Sequence, residues 1–212
     1  MRKILGLLTL TLITPVFANE TRTDVLQEDR LYSVIINQTN TLKEEYTPIN
    51  LVMPKVKFYT PGNIEKNYME LEAATHLEQM FNDAIQEGII LYAVSGYRSY
   101  ERQKQLYDIA VQTYGEAQNT VAKPGQSGHQ TGLVMDIVGE SGHLLLQSFG
   151  NTKEGVWVRH NAHKYGFIIR YPKEKEHITG IVYEPWHIRY VGIELATYCY
   201  TNNMTLEEVD LS

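Results

Sequence analysis

Two short segments roughly fifty residues apart carry the side chains best suited to chemistry: Ser127-Gly-His129-Gln-Thr-Gly132-Leu-Val-Met-Asp136 and Glu184-Pro-Trp-His187. Together they offer two imidazoles, one ligating carboxylate and one spare carboxylate. Those are the parts of a three-ligand zinc site with an open fourth position and a general base beside it. His129 and Asp136 are seven residues apart, which suits a loop histidine followed by a strand aspartate, with Gly132 permitting the turn between them. Read alone, the pair fits a surface histidine and a strand-end aspartate equally well.

Glu184 and His187 are more telling. In a regular strand, positions i and i+3 face opposite sides. Pro185 lacks an N–H and fixes its φ, so the strand is expected to kink there and turn both side chains to one site, with Trp186 packed behind them. The plainer alternative is an edge strand bearing an exposed Glu and His. The remaining histidines suit other roles. His160 and His163 have i,i+3 spacing on an expected amphipathic helix and belong on its wet side, and His76, His143 and His177 read as surface residues. Arg98, in Ser95-Gly-Tyr-Arg-Ser99, sits at a strand-to-helix junction that suits a guanidinium grasping a carboxylate or developing oxyanion. Gln103, one turn into the next helix, faces the same end.

The elements that must position these groups follow from periodicity. Met69, Ala73, Leu77, Met80, Phe81, Ala84 and Ile85 recur at helical spacing, predicting a helix over 64–87 stopped by Gly88. Ile89 to Val94 reads as a buried strand. Ser99 caps a second helix with a stripe of Leu106, Tyr107, Ala110, Val111 and Tyr114. Residues 116–128 read as a loop, Leu133–Val138 as a strand and Leu144–Phe149 as another. Thr152 caps a helix through Tyr165, closed by Gly166. Strands are expected at Phe167–Arg170, Ile181–Tyr183 and Ile188–Val191, then a helical tail in which Thr205-Leu-Glu-Glu208 has capping-box spacing. Helices precede a hairpin-rich sheet, so a single α+β domain over 32–212 is expected, after a flexible leader at 19–31.

Arg2-Lys3, the apolar run Ile4 to Phe17 and Val16-Phe-Ala18 have the layout of an export signal ending at residue 18. An uncleaved N-terminal anchor is the alternative, and the only route to a membrane contact. Removing residues 1–18 deletes two basic residues and no acidic one, leaving 17 basic against 25 acidic, a formal charge of −8. That excludes nucleic acid as a natural partner. The lone Cys199 reads as a buried thiol and rules out cysteine-rich metal sites, so any metal rests on His and carboxylate. Nothing in the sequence calls for a stable protein partner.

Several ordered blocks resemble the VanY-type D-alanyl-D-alanine carboxypeptidase family over about residues 35–192: Ser-Gly-Tyr-Arg-Ser-Tyr100 with Gln103, Pro124 to Asp136, Lys164 to Pro172, and Tyr183 to Gly192. The resemblance implies a small antiparallel sheet backed by helices. It also implies one zinc ion on His129, Asp136 and His187, with Glu184 as catalytic base and Arg98 at the substrate. Ser127 and Gln103 would line the same site. The implied substrates are peptidoglycan stem peptides losing a C-terminal D-alanine, outside the cytoplasmic membrane in the periplasm or cell-wall space. Arg98, Ser127 or Arg189 would read the free carboxylate. Two positions depart from the family pattern: Gly128 replaces an acidic residue and Val134 an alanine, the latter expected to narrow the pocket. L,D-carboxypeptidase, dipeptidase or endopeptidase activity on the same fold stays open. A non-catalytic wall-binding module would be expected to lack a ligand or the base, yet all four are present.

Overall fold

The computed structural model describes residues 32–116, 118 and 121–209; the expected export signal and leader lie outside them. Among the described residues no helix is long and apolar enough to cross a membrane. Strands β1 (Leu51–Val52) and β2 (Met69–Glu70) form an antiparallel ribbon. Helix α1 (Leu71–Gln86) follows at once, capped by the Glu70 carboxylate, which accepts from the amides of Glu72 and Ala73. The helix expected over 64–87 therefore starts at Leu71. The amides of Gly96 and Tyr97 bond the carbonyls of Lys66 and Tyr68, and Glu70 N–H bonds Gly132 O, so residues 66–70 serve the tertiary structure instead.

The main sheet has the order β3 (Leu91–Ser95), β4 (Val134–Gly139), β6 (His187–Tyr190), β5 (Phe167–Ile169), every pairing antiparallel. Period-2 alternation gives its faces different jobs. One face sets Met135, Ile137, Phe167, Ile188 and Tyr190 against Ala73, Leu77, Met80 and Phe81 of α1 and Trp157 and Val158 of α3 (Lys153–Asn161). The other carries Asp136 and His187, which face each other across the β4–β6 ladder. Farther along, Ile168 packs under α5 (Ile193–Asn202) with Leu195, Ala196 and Cys199. The Cys199 thiol is buried there, and burial pushes its pKa up to about 11.

Helix α2 (Tyr100–Tyr114) opens on the Ser99 cap as its sequence predicts, but it lies on the surface. Of its residues only Gln103 and Ala110 are buried, and Tyr114, counted in the apolar stripe, is 72% exposed. Thr152 and Gly166 bound α3 and its 3-10 extension (Ala162–Tyr165), and Thr205 with Glu208 makes the capping box before the 3-10 turn Leu206–Glu208. A short helix, α4 (Glu176–Thr179), interrupts the long connection from β5 to β6.

Two expected strands are not formed. Leu144–Phe149 is a turn running into a 3-10 helix (Gln147–Asn151), with His143 and Leu145 at positive φ. Both edges of β4 are already taken by β3 and β6, which leaves a following hairpin strand nowhere to pair. Ile181–Tyr183 likewise stays outside the ladder, and the next amide, Glu184 N–H, bonds Tyr171 O at 3.0 Å.

Candidate active site

The site is assembled where β4 and β6 meet the loop before β4. Residues 128–131 form a 3-10 turn capped by Ser127, whose Oγ accepts from His129 N–H at 3.4 Å. Gly132 closes it in the left-handed conformation, φ 71°, where a β-carbon is disfavoured. The His129 ring donates from Nδ1 to the Gly96 carbonyl at 2.7 Å, which fixes its tautomer and leaves the Nε2 lone pair free. Gly96 follows a bulge in β3, and any side chain there would strike the Tyr68 carbonyl and the Met135 methyl.

His129 Nε2 lies 3.4 Å from Asp136 Oδ2, and His187 Nδ1 lies 3.0 Å from Asp136 Oδ1. The two imidazole planes are perpendicular, centroids 4.9 Å apart. All three side chains are buried, and one ligand atom from each falls within 4.8 Å of the others. Asp136 Oδ1 is buried without a hydrogen-bond partner despite its closeness to His187. An orphaned carboxylate oxygen aimed between two imidazoles is what a metal ligand looks like. These residues fit a zinc ion in donor type, number and spacing. Burial raises the Asp136 pKa, but His129 and His187 outweigh it and hold the carboxyl well below its usual range.

Glu184 reaches the same place by a turn. His187 N–H bonds Glu184 O at 3.2 Å across Pro185-Trp186, so the backbone reverses before β6 begins. Glu184 Oε2 then sits 3.6 Å from His187 Nδ1. Burial, with Asp136 adding to it, pushes the Glu184 pKa up against the opposing pull of His187 and Arg98. Trp186 packs against the core behind, as expected from its position.

Arg98 faces Asp136 and Glu184 electrostatically. Burial lowers its pKa, and those two carboxylates act against the shift. Its Nη1 donates to Gln103 Oε1 at 2.9 Å and Nη2 to Ser95 Oγ at 3.5 Å. Gln103 is 1% exposed, and its Nε2 is committed to Ala122 O at 2.7 Å. Gln103 therefore holds Arg98 in place, correcting its expected direct contact with substrate. Arg189 also departs from expectation. It is 1% exposed, with Nε donating to Tyr190 O and Nη2 to Tyr32 O and Val34 O, so its hydrogen bonds tie the N-terminal segment to β6.

Tyr171 was not foreseen from the sequence. Its ring tilts against His187, centroids 5.0 Å apart, and burial raises its pKa. Its signals were its place directly before Pro172 and its inclusion in the Lys164–Pro172 block that resembles the family. The two departures from the family pattern prove to be one feature: a β-carbon on Gly128 would meet Val134 Cγ2 at 3.3 Å. Val134 is 1% exposed, so its extra bulk lies beneath the Gly128 turn and does not line the opening.

Two imidazoles and a carboxylate converging on an α+β sheet, with a spare carboxylate and a guanidinium alongside, define a zinc metallopeptidase. The sequence places it more closely: residues 66–193 match the family model of VanY, D-alanyl-D-alanine carboxypeptidase, and the chain belongs to that family. It is 49% identical to YodJ of Bacillus subtilis over 188 residues, which are 87% of this chain and 69% of YodJ. The LD-carboxypeptidase LdcB superposes with a TM-score of 0.80 at 51% identity, covering 82% of this chain and 83% of LdcB. A glutamate-to-alanine mutant of the vancomycin-resistance D,D-pentapeptidase VanY, in complex with Zn(II), superposes at 0.65 with 33% identity, covering 84% and 98%.

Proposed function

We propose that this protein is a zinc-dependent carboxypeptidase that removes the C-terminal D-alanine from peptidoglycan stem peptides. The observation that carries the reading is the buried His129–Asp136–His187 cluster with Glu184 and Arg98 at its edge. His129, Asp136 and His187 would hold the zinc ion. Zinc at such a site acidifies a water and polarises a carbonyl. Glu184, its pKa raised by burial, takes the proton of the attacking water and returns it to the departing amine. Arg98, locked by Gln103 and Ser95, offers positive charge to the developing oxyanion or the terminal carboxylate. Tyr171 shields one side of His187 from water.

A second reading concerns the bond. The greater likeness to LdcB, in identity and superposition, supports cleavage of the L,D bond of a tetrapeptide. Digesting stem tetrapeptide and pentapeptide, with and without chelator, and following mass separates the two. Loss of one alanine from the pentapeptide supports D,D cleavage, and loss only from the tetrapeptide supports L,D cleavage. No chelator-sensitive loss from either removes the proposal. Export is part of the reading, supported by Arg2-Lys3, the apolar run after them and Ala18. It is tested by sequencing the N-terminus of the protein recovered outside the cell.

A further inference from the structure

Away from the metal cluster, a cavity of about 420 Å³ follows the free edge of β5. Its walls come from the end of α3, from α5, and from the segments holding Pro172-Lys173-Glu174 and Tyr183. That volume lies in the range of small-ligand sites.

The ladder defines what the edge offers. Val191 N–H bonds Gly166 O at 2.8 Å, and Arg170 N–H bonds His187 O at 3.0 Å. In an antiparallel pair the inward-bonding residues alternate. Gly166, Ile168 and Arg170 therefore bond to β6, while the N–H and C=O groups of Phe167 and Ile169 point outward; Phe167 is fully buried, and half-buried Ile169 is the one accessible from the cavity. Among the described residues neither has a hydrogen-bond partner on that side. The N–H and C=O of Ile169 thus offer a point of attachment for the main chain of an extended peptide.

The charges around the edge are unevenly satisfied. Arg170 pairs with Glu207, and Lys175 with Glu208 at 2.9 Å. Arg159 and Lys173, which line the cavity, form no ion pair among the described residues, although Arg159 is engaged by the Tyr183 hydroxyl. One carboxylate, Glu174, stands at the rim beside them. On a chain of net charge −6, two cations without a carboxylate partner, the exposed Lys173 foremost, beside an open strand edge favour a carboxylate-bearing peptide. Strand β5 is only three residues long and the cavity small, which favours a short peptide over a strand of a folded partner.

We propose that this cavity is a second peptide subsite that binds a further stem peptide of the same peptidoglycan, its main chain on Ile169 and its carboxylate on Lys173. The identity of the ligand rests on the function proposed above. Polymeric peptidoglycan carries many stems, so a second hold raises the effective concentration of the stem being cut. The two sites also share chain: Tyr183 borders the cavity and precedes Glu184, and Pro172 borders it and follows Tyr171.

The test uses the full chain, zinc-loaded and carrying Glu184→Ala to block turnover, titrated calorimetrically with stem tetrapeptide. Two sites are expected, and adding Lys173→Glu, at an exposed position, should remove one. In the active enzyme, Lys173→Glu and Ile169→Pro should each lower the ratio of D-alanine release from polymeric peptidoglycan to release from soluble stem peptide by about tenfold. The proline deletes an outward N–H that the β5–β6 ladder does not use. A single site, a second site that Lys173→Glu leaves intact, or an unchanged ratio overturns the proposal. Failure to cut soluble stem peptide would instead sink the proposed function, and the titration would still decide this subsite.

Discussion

Arg98 and Arg189 are both guanidiniums near the metal-ligating residues, the first half-buried and the second fully buried, and the sequence suggests the same task for each. Their surroundings differ in kind. Arg98 leans on two side chains, Gln103 and Ser95, within the electrostatic reach of Asp136 and Glu184. Arg189 donates to three main-chain carbonyls, two of them more than 150 residues distant in sequence, and has no carboxylate partner among the described residues. Burial, with Arg170 adding to it, lowers its pKa to about 9. A guanidinium held from behind by neutral side chains keeps its charge for a ligand. One whose N–H groups close carbonyls of the chain acts as a brace, because each carbonyl stripped of its donor costs about 1–3 kcal/mol. Proximity to a metal cluster does not assign a role; the identity of the hydrogen-bond partners does.

The largest effects should come from the groups Arg98 faces. Glu184→Ala is expected to lower kcat by about 10³-fold while zinc content and thermal midpoint stay near wild type. Asp136→Ala should abolish activity together with bound zinc, measured by metal analysis. If Glu184→Ala lost its zinc as well, the separation between base and ligands would fail.

Next comes the comparison itself. Arg98→Ala should cost about 10²-fold in kcat/KM and leave the urea unfolding free energy within about 0.5 kcal/mol. Arg189→Met should do the reverse: a loss of about 3 kcal/mol in unfolding, faster chymotryptic cleavage after Tyr32, and a much smaller change in kcat/KM. Equal kinetic losses in both variants would return Arg189 to the substrate. Gln103→Leu, which leaves Arg98 without its nearest support, should fall between alanine at 98 and wild type in kcat/KM.

The metal ligands and helix caps were legible because each rests on a local signal. Ser99, Thr152 and Gly166 act within a turn of their own position, and Pro185 announces the turn that brings Glu184 beside His187. What stayed hidden depends on distant partners. Gln103 looked like a substrate contact because nothing local reveals that Ala122 O captures its amide. The apolar run Leu144–Leu146 resembled a strand, yet whether it forms one depends on whether a sheet edge is vacant, and β3 and β6 flank β4 on both sides. The exposed face of α2 misled in the opposite sense: apolar residues recur at helical spacing where little packs on them.

Arg170 sharpens the comparison with a third arrangement. It is 3% exposed at the end of β5, and its guanidinium is paired with Glu207, Nη1 to Oε2 at 2.9 Å, so here the brace is ionic. Burial raises the Glu207 pKa, but the bonds and charge of Arg170 more than offset it, and the net shift is downward from the ordinary 4.5. A carboxylate with a depressed folded pKa stabilises fully above its unfolded value, and that contribution is lost as pH falls through the lower folded value. Glu207→Gln should therefore cost about 1–3 kcal/mol at pH 7, discounted from a fully buried pair because Glu207 keeps some solvent contact. The gap from wild type should narrow as pH drops below about 4.5, where Glu207 of the unfolded chain takes up its proton, and close once pH passes the lower folded value. Arg189→Met, which breaks no carboxylate pair, should show a stability loss that stays flat over the same interval. Parallel pH curves for the two variants, measured by urea unfolding, would erase the distinction between an ionic brace and a carbonyl brace.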